Sequence, residues 1–268
     1  MKKFLFALAA ALFFLSPVTA QAAPPSYGSA DGAKAADQAR LLQVTQTVEA
    51  LQPVVLEAAV RTAGHNVRVY NYSDADPLGL IYASEGSGVI VAMDGNMVYI
   101  VTAAHCLRRA HTQVQFSDDT VQEAYVAYVN SDKDVGFLLV PCAQLSEQTL
   151  QGLLPAAGSD AADIGKQKGD ILFAVSSAAG PNALVEAGVL DDDSVAYPNQ
   201  PSQQVLQFLS TVSYGSSGGG VYSLEGVWVG MVSGGDTYGI CWAIPYGDIM
   251  TEFQSWLATL AQQQAGRQ

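Results

Sequence analysis

Histidine is almost missing from this sequence, which has only His65, His105 and His111, so any reaction that needs an imidazole can be searched exhaustively. Cysteine is as scarce: Cys106, Cys142 and Cys241 permit at most one internal bridge and leave one thiol over, which rules out dependence on a disulfide framework. Positive charge is short as well. With 12 Lys and Arg against 25 Asp and Glu, the net charge is -13, and a nucleic-acid groove, which needs clustered Lys and Arg, is not expected. An acidic surface of this kind serves solubility. No apolar run reaches the about 20 residues that a membrane-spanning helix requires. Metal-ligand spacing is lacking too: no two histidines stand at the helical spacing zinc favours. Asp191-Asp192-Asp193 has neither the alternation nor the closing Glu of a calcium loop. No metal or cofactor is expected, and His65 and His111, in polar and turn-like contexts, are expected at the surface.

What is present begins with Lys2 and Lys3, an apolar stretch from Phe4 to Leu15, and Ala20-Gln21-Ala22, the small-x-small pattern of a signal-peptidase site. Residues 1–22 are therefore expected to be a removed signal peptide, with the mature chain secreted or periplasmic. Residues 23–64 read as a leader followed by an amphipathic helix: Leu41, Val44, Val48, Leu51 and Val55 recur at three- and four-residue steps. Pro53 is expected to end or kink that helix. From residue 65 to 268 the texture is all-β, with short β-rich runs broken by turn residues. Twelve strands are expected, among them Gly88–Ala92, Met97–Thr102, Glu123–Val129 and Val135–Val140, enough for two six-stranded barrels. Ile249, Phe253, Trp256, Leu257 and Leu260 then mark a closing amphipathic helix over about 248–264.

Against this background three residues stand out. His105 follows the apolar run Val98-Tyr-Ile-Val-Thr-Ala-Ala, where a side chain leaves a rigid strand end. Asp134 opens a second apolar run, Val-Gly-Phe-Leu-Leu-Val, and Ser217 lies in Gly215-Ser-Ser-Gly-Gly-Gly220. A serine hydroxyl is a weak nucleophile at neutral pH and needs an adjacent base. His105 can take its proton and return it to a leaving group, while Asp134 fixes the imidazole tautomer. The glycines allow a tight turn that aims the backbone N–H groups of Gly215 and Ser217 at a developing oxyanion. Chain order separates hydrolase types. Gly-x-Ser-x-Gly is also met around Ser217, but the α/β-hydrolase order needs a histidine after the serine, and none follows. The order His, Asp, Ser is the chymotrypsin order.

Six motifs now line up. Gly86-Ser-Gly-Val-Ile-Val, Ile100-Val-Thr-Ala-Ala-His105, Asp134-Val-Gly-Phe-Leu-Leu-Val, Gly215-Ser-Ser-Gly-Gly, Gly230-Met-Val-Ser-Gly and Gly239-Ile-Cys-Trp-Ala-Ile-Pro245 resemble, in order and spacing, the bacterial trypsin-like proteases of the HtrA/Deg type. The resemblance covers about Val67 to Trp256. It implies two perpendicular barrels with a cleft between them and peptide-bond hydrolysis through an acyl-enzyme, with polypeptides as substrates. It also implies a supporting role for Ser233, which matches a serine that hydrogen-bonds the catalytic acid. The specificity pocket implied is Thr211, Ser213, Gly234, Gly235 and Gly239, none of them charged, so cleavage after neutral apolar residues is expected. The PDZ domain usual in that family is not expected here. Ser216, where trypsin-like zymogens carry an aspartate, cannot hold an ammonium, so no second activating cut is expected. Two alternatives are a catalytically silent binding module of the same fold and a serine hydrolase acting on a non-protein acyl group.

Overall fold

A computed structural model describes residues 31–159, 167–178, 183–198, 200–210, 212–236 and 239–265; the expected signal peptide and the leader up to residue 30 lie outside the described residues. The chain enters as a long helix, α1 (Asp31–Thr62). Seven strands follow: β1 (Asn66–Tyr72), β2 (Ala83–Met93), β3 (Met97–Ala103), β4 (His111–Gln115), β5 (Val121–Glu123), β6 (Tyr125–Asn130) and β7 (Val135–Pro141). They form an antiparallel sheet in the order β5-β4-β1-β2-β3-β7-β6. Its two edge strands, β5 and β6, are consecutive in the chain and are separated only by Ala124, whose N–H donates to Thr112 O at 2.9 Å. The expected strand Glu123–Val129 is thus one run broken at Ala124, pairing with β4 before the break and β7 after it. A bend of this kind is how a sheet turns a corner and rolls up, and it gives seven strands where six were expected.

After a short helix, α2 (Glu147–Gly152), come β8 (Ile171–Ser176), β9 (Leu184–Tyr197), β10 (Gln200–Leu209), β11 (Gly220–Ser223), β12 (Trp228–Gly235) and β13 (Ile240–Pro245). These close into a six-stranded barrel in the order β10-β13-β12-β11-β8-β9. The described part ends in α3 (Tyr246–Ala265). The fold is the chymotrypsin-like pair of barrels with a helix before and a helix after.

The central strands are apolar in both parities because both of their faces are covered. In β2 and β3, Ile90, Val98 and Ile100 fill the first barrel, while Val89, Val101 and Ala103 point the other way into a cluster shared with the second. In β8 the same split puts Leu172 and Ala174 inside the second barrel and Phe173 and Val175 in the shared cluster. Both helices dock on that shared cluster. Val55, Ala58, Ala59 and Thr62, at steps of three and four, are the buried stripe of α1, which packs on β8 and β9. The helix therefore runs through Pro53, so of the expected end or kink the end is excluded. The hydrogen bond Pro53 cannot donate is lost, and burial of the turn that follows offsets it. From α3, Phe253 meets Phe137 edge-on at 5.2 Å and Trp256 stacks on the same ring at 5.4 Å, so the closing helix braces β7 directly behind its first residues.

Candidate active site

Three strand ends converge in one cleft of about 490 Å³ lined by His105, Asp134 and Ser217. His105 and Asp134 arrive by the same local logic, an apolar strand with a polar residue at its mouth, and Ser217 arrives on a glycine turn. His105 sits in a single turn of 3-10 helix, Ala104–Cys106, directly after β3. Asp134 immediately precedes β7, and Ser217 lies in the turn before β11.

Asp134 is the most constrained of the three. Its φ of 52° is left-handed, a conformation only a few per cent of non-glycine residues adopt, and the surroundings hold it there. Its carbonyl accepts from Ala104 N at 3.1 Å, and one carboxylate oxygen accepts from His105 N at 2.9 Å. The turn before it is gripped from two further elements. Lys133 Nζ pairs with Glu252 of α3 at 2.7 Å, and Gln203 of β10 donates to Lys133 O at 2.9 Å.

The His105 ring lies with Nδ1 at 2.9 Å from both carboxylate oxygens of Asp134. An ionised carboxylate only accepts, so Nδ1 carries the hydrogen and Nε2 is left as the basic nitrogen. That hydrogen bond is the largest influence on the ring and raises its pKa from 6.5, with Cys106 adding in the same direction and burial opposing. Ser233 Oγ donates to Asp134 Oδ2 at 2.6 Å and stands 3.2 Å from the Tyr197 hydroxyl, so Oδ2 is shared between Ser233 and the His105 ring while Oδ1 takes the His105 backbone N–H. The Ser217 hydroxyl is turned toward the carbonyl of Ser233 at 3.5 Å.

The turn carrying Ser217 is built on left-handed glycines, Gly215 at φ 93° and Gly218 at φ 88°. A side chain at Gly218 would collide with the carbonyl of Ser87, so only glycine fits this approach. Ser87 clamps the turn twice. Its N–H donates to Ser217 O at 2.8 Å and its hydroxyl donates to Gly215 O at 2.8 Å. Neither the N–H of Gly215 nor that of Ser217 donates to a backbone carbonyl among the described residues.

Of the expected pocket residues, Ser213, Gly234 and Gly235 line the cleft. Gly239 does not line it; its carbonyl accepts from Ser210 N at 2.9 Å. Thr211 lies outside the described residues. Val212, inside the expected stretch 211–213, and Trp242, expected at the rim, line the cleft too, while sequence reasoning missed Arg108, Tyr197 and Tyr214 on the same walls. It also missed Ser87 and, beneath the turn, the buried Glu186 of β9. A signal for Glu186 existed: in Leu184-Val-Glu-Ala-Gly-Val-Leu190 the carboxylate shares parity with the buried Leu184, Gly188 and Leu190, where an acid is expensive unless it is hydrogen-bonded. Two further expectations resolve here. All three cysteines are free and buried. His65 is not a surface residue: it is half-buried, edge-on to Tyr222 at 6.2 Å, and burial lowers its pKa. His111 is at the surface and pairs with Asp74 at 2.6 Å.

Comparison with known proteins agrees with this geometry. The family model for the trypsin-like peptidase domain matches residues 86–231, a stretch that holds His105, Asp134 and Ser217. The chain is 29% identical over 192 residues to "Serine protease HTRA2, mitochondrial" of Drosophila ananassae, covering 67% of this chain and 40% of that protein. It is 28% identical over 176 residues to the Bos taurus protein of that name, 63% and 35%. To a "Probable periplasmic serine endoprotease DegP-like" of Pseudomonas fulva it is 29% identical over 168 residues, 60% and 32%. The chain thus spans well under half the length of these relatives.

Proposed function

Because the chain belongs to the trypsin-like peptidase domain family, we propose that it is an exported serine endopeptidase, cleaving peptide bonds through His105, Asp134 and Ser217 by way of an acyl-enzyme. The observation that carries this reading is the bidentate contact of His105 Nδ1 with Asp134 in the cleft that Ser217 shares. In the first half-reaction the Ser217 hydroxyl rotates from the Ser233 carbonyl toward His105. Its proton passes to Nε2 as Oγ bonds to the scissile carbonyl carbon. Asp134 stabilises the imidazolium without taking the proton. The carbonyl oxygen, now negative, accepts from the N–H groups of Gly215 and Ser217, an interaction stronger in the transition state than in the ground state. Collapse breaks the C–N bond and His105 protonates the departing amine. In the second half-reaction a water repeats the attack with His105 as base, freeing the carboxylic acid and Ser217.

Substrate selection follows from the cleft walls. Ser213, Val212, Gly234 and Gly235 offer no charge to a side chain buried against them, and a buried unpaired charge costs several kcal/mol; taking them, rather than the wall that carries Arg108, as the pocket for the residue before the cut, that residue should be uncharged. Export rests on the lysines, apolar run and small-x-small pattern of residues 1–22. Labelling the purified chain with a fluorophosphonate probe and mapping the adduct tests the assignment: the adduct belongs on Ser217, and an unlabelled chain, or an adduct on another serine, removes it.

A further inference from the structure

Beneath the turn that bears Ser217 lies a carboxylate for which the reaction above has no use. Glu186 of β9 is buried, with 7% of its surface exposed. It accepts from the backbone N–H of Ser213 at 2.7 Å and from the Ser216 hydroxyl at 2.7 Å. The Ser216 hydroxyl also stands 3.1 Å from Ser176 Oγ on β8. These contacts fall at the two ends of the segment 213–216, which the Ser216 N–H closes onto Ser213 O at 3.1 Å. From the opposite side Ser87 Oγ holds Gly215 O. Among the described residues no cation pairs with Glu186.

We propose that Glu186 is a positioning residue for the oxyanion turn, its carboxylate fixing Ser213 and Ser216 so that the Gly215 and Ser217 N–H groups stay aimed into the cleft. The proposal rests on the endopeptidase reading and names what orders its oxyanion site. A buried acid is costly without partners, and both partners here lie in the turn next to the nucleophile. Burial raises the Glu186 pKa, and the hydrogen bonds from Ser216 and Ser213 oppose that rise, as expected of an acid held in place by those two donors. A side chain at position 216 that is neutral and short reaches the carboxylate of a neighbouring strand. The device is therefore internal to the folded chain and requires no newly cut N-terminus.

The test compares Glu186→Ala, Glu186→Gln, Ser216→Ala and the double variant Glu186→Ala/Ser216→Ala in the full chain. The substrate is a fluorogenic peptide with Val or Leu before the scissile bond, and each variant's melting is followed alongside. Loss of an oxyanion donor costs on the order of 10² to 10³ in kcat, so Glu186→Ala should lower kcat at least about 100-fold with KM within about threefold. Glu186→Gln, which keeps an acceptor for Ser213 N and a partner for Ser216, should return kcat to within about tenfold of wild type, and Ser216→Ala, which removes a donor with little change in volume, separates this hydrogen-bonding role from mere space filling. The double variant should be no worse than Glu186→Ala alone, because the two groups act as one unit. Wild-type kcat in Glu186→Ala, or Glu186→Gln no better than Ala, overturns the proposal while leaving the endopeptidase reading standing. If Glu186→Ala fails to melt cooperatively, Ser216→Ala decides: an unchanged kcat overturns the proposal, and a fall at constant KM supports it. A wild-type chain that neither labels nor cleaves defeats the underlying reading, and this proposal with it.

Discussion

Ser233 Oγ lies 2.6 Å from Asp134 Oδ2, on the face of the carboxylate away from the His105 backbone contact. The acid is therefore fixed by two residues that approach from different barrels, since Ser233 belongs to β12 and His105 follows β3. Hydrogen bonds to charged groups are worth about 1.5–3 kcal/mol. Ser233→Ala should lower kcat by about tenfold or more, with little change in KM, as steady-state kinetics would register. An unchanged kcat would show that Asp134 needs no support from β12.

The His105–Asp134 pair also sets a pH dependence. A hydrogen-bonded carboxylate raises the His105 pKa from 6.5, and only the neutral ring can act as base. Activity should therefore appear as pH rises through a value above 6.5, and Asp134→Asn should move that limb downward while cutting kcat about 10⁴-fold. The sign for stability is opposite. Because the folded pKa is raised, the pair stabilises the fold fully below the unfolded pKa, and that contribution is lost as pH rises through the folded value. A pH–rate profile with its acid limb below 6 would contradict this account.

Gly218 combines a left-handed φ of 88° with a position where any Cβ would overlap Ser87 O. Gly218→Ala should cost at least about 100-fold in kcat, comparable to losing an oxyanion donor, because the turn must shift away from Ser87. Thermal melting measured alongside should show a smaller change than the kinetics, since the displacement is confined to one turn.

The cleft wall makes a prediction about substrates. Cleavage of a denatured proteome, read by mass spectrometry, should show uncharged and mostly apolar residues before the cut, with Val, Ala, Leu or Met prominent. Dominance of Arg, Lys or Glu there would refute it. Val212 faces Gly235 so closely that a side chain at Gly235 would collide with it. Trimming it in Val212→Ala should raise kcat/KM for Phe relative to Val at that substrate position.

The sequence made legible what is locally encoded. His105 and Asp134 could be located because each ends or precedes an apolar run whose both parities are buried, where a polar residue is conspicuous, and Ser217 because glycines crowd the turn around it. The closing helix was readable from the three- and four-residue spacing of Ile249, Phe253 and Trp256. What could not be read depends on distant pairing. The split at Ala124 follows from the two edges of a rolled sheet meeting, and the continuity of α1 past Pro53 follows from packing of Val55, Ala58 and Ala59 on strands far along the chain. Glu186 and Ser216, or Lys133 and Glu252, are joined only once the barrels have formed.

The central claim is that Ser217 is the nucleophile of a triad with His105 and Asp134, and its most direct test is peptide hydrolysis by Ser217→Ala beside the wild-type chain. Triad residues act as a unit, so kcat should fall on the order of a millionfold, with KM little changed. A Ser217→Ala chain, shown by its melting to be folded, that keeps more than about a hundredth of wild-type turnover would contradict the account.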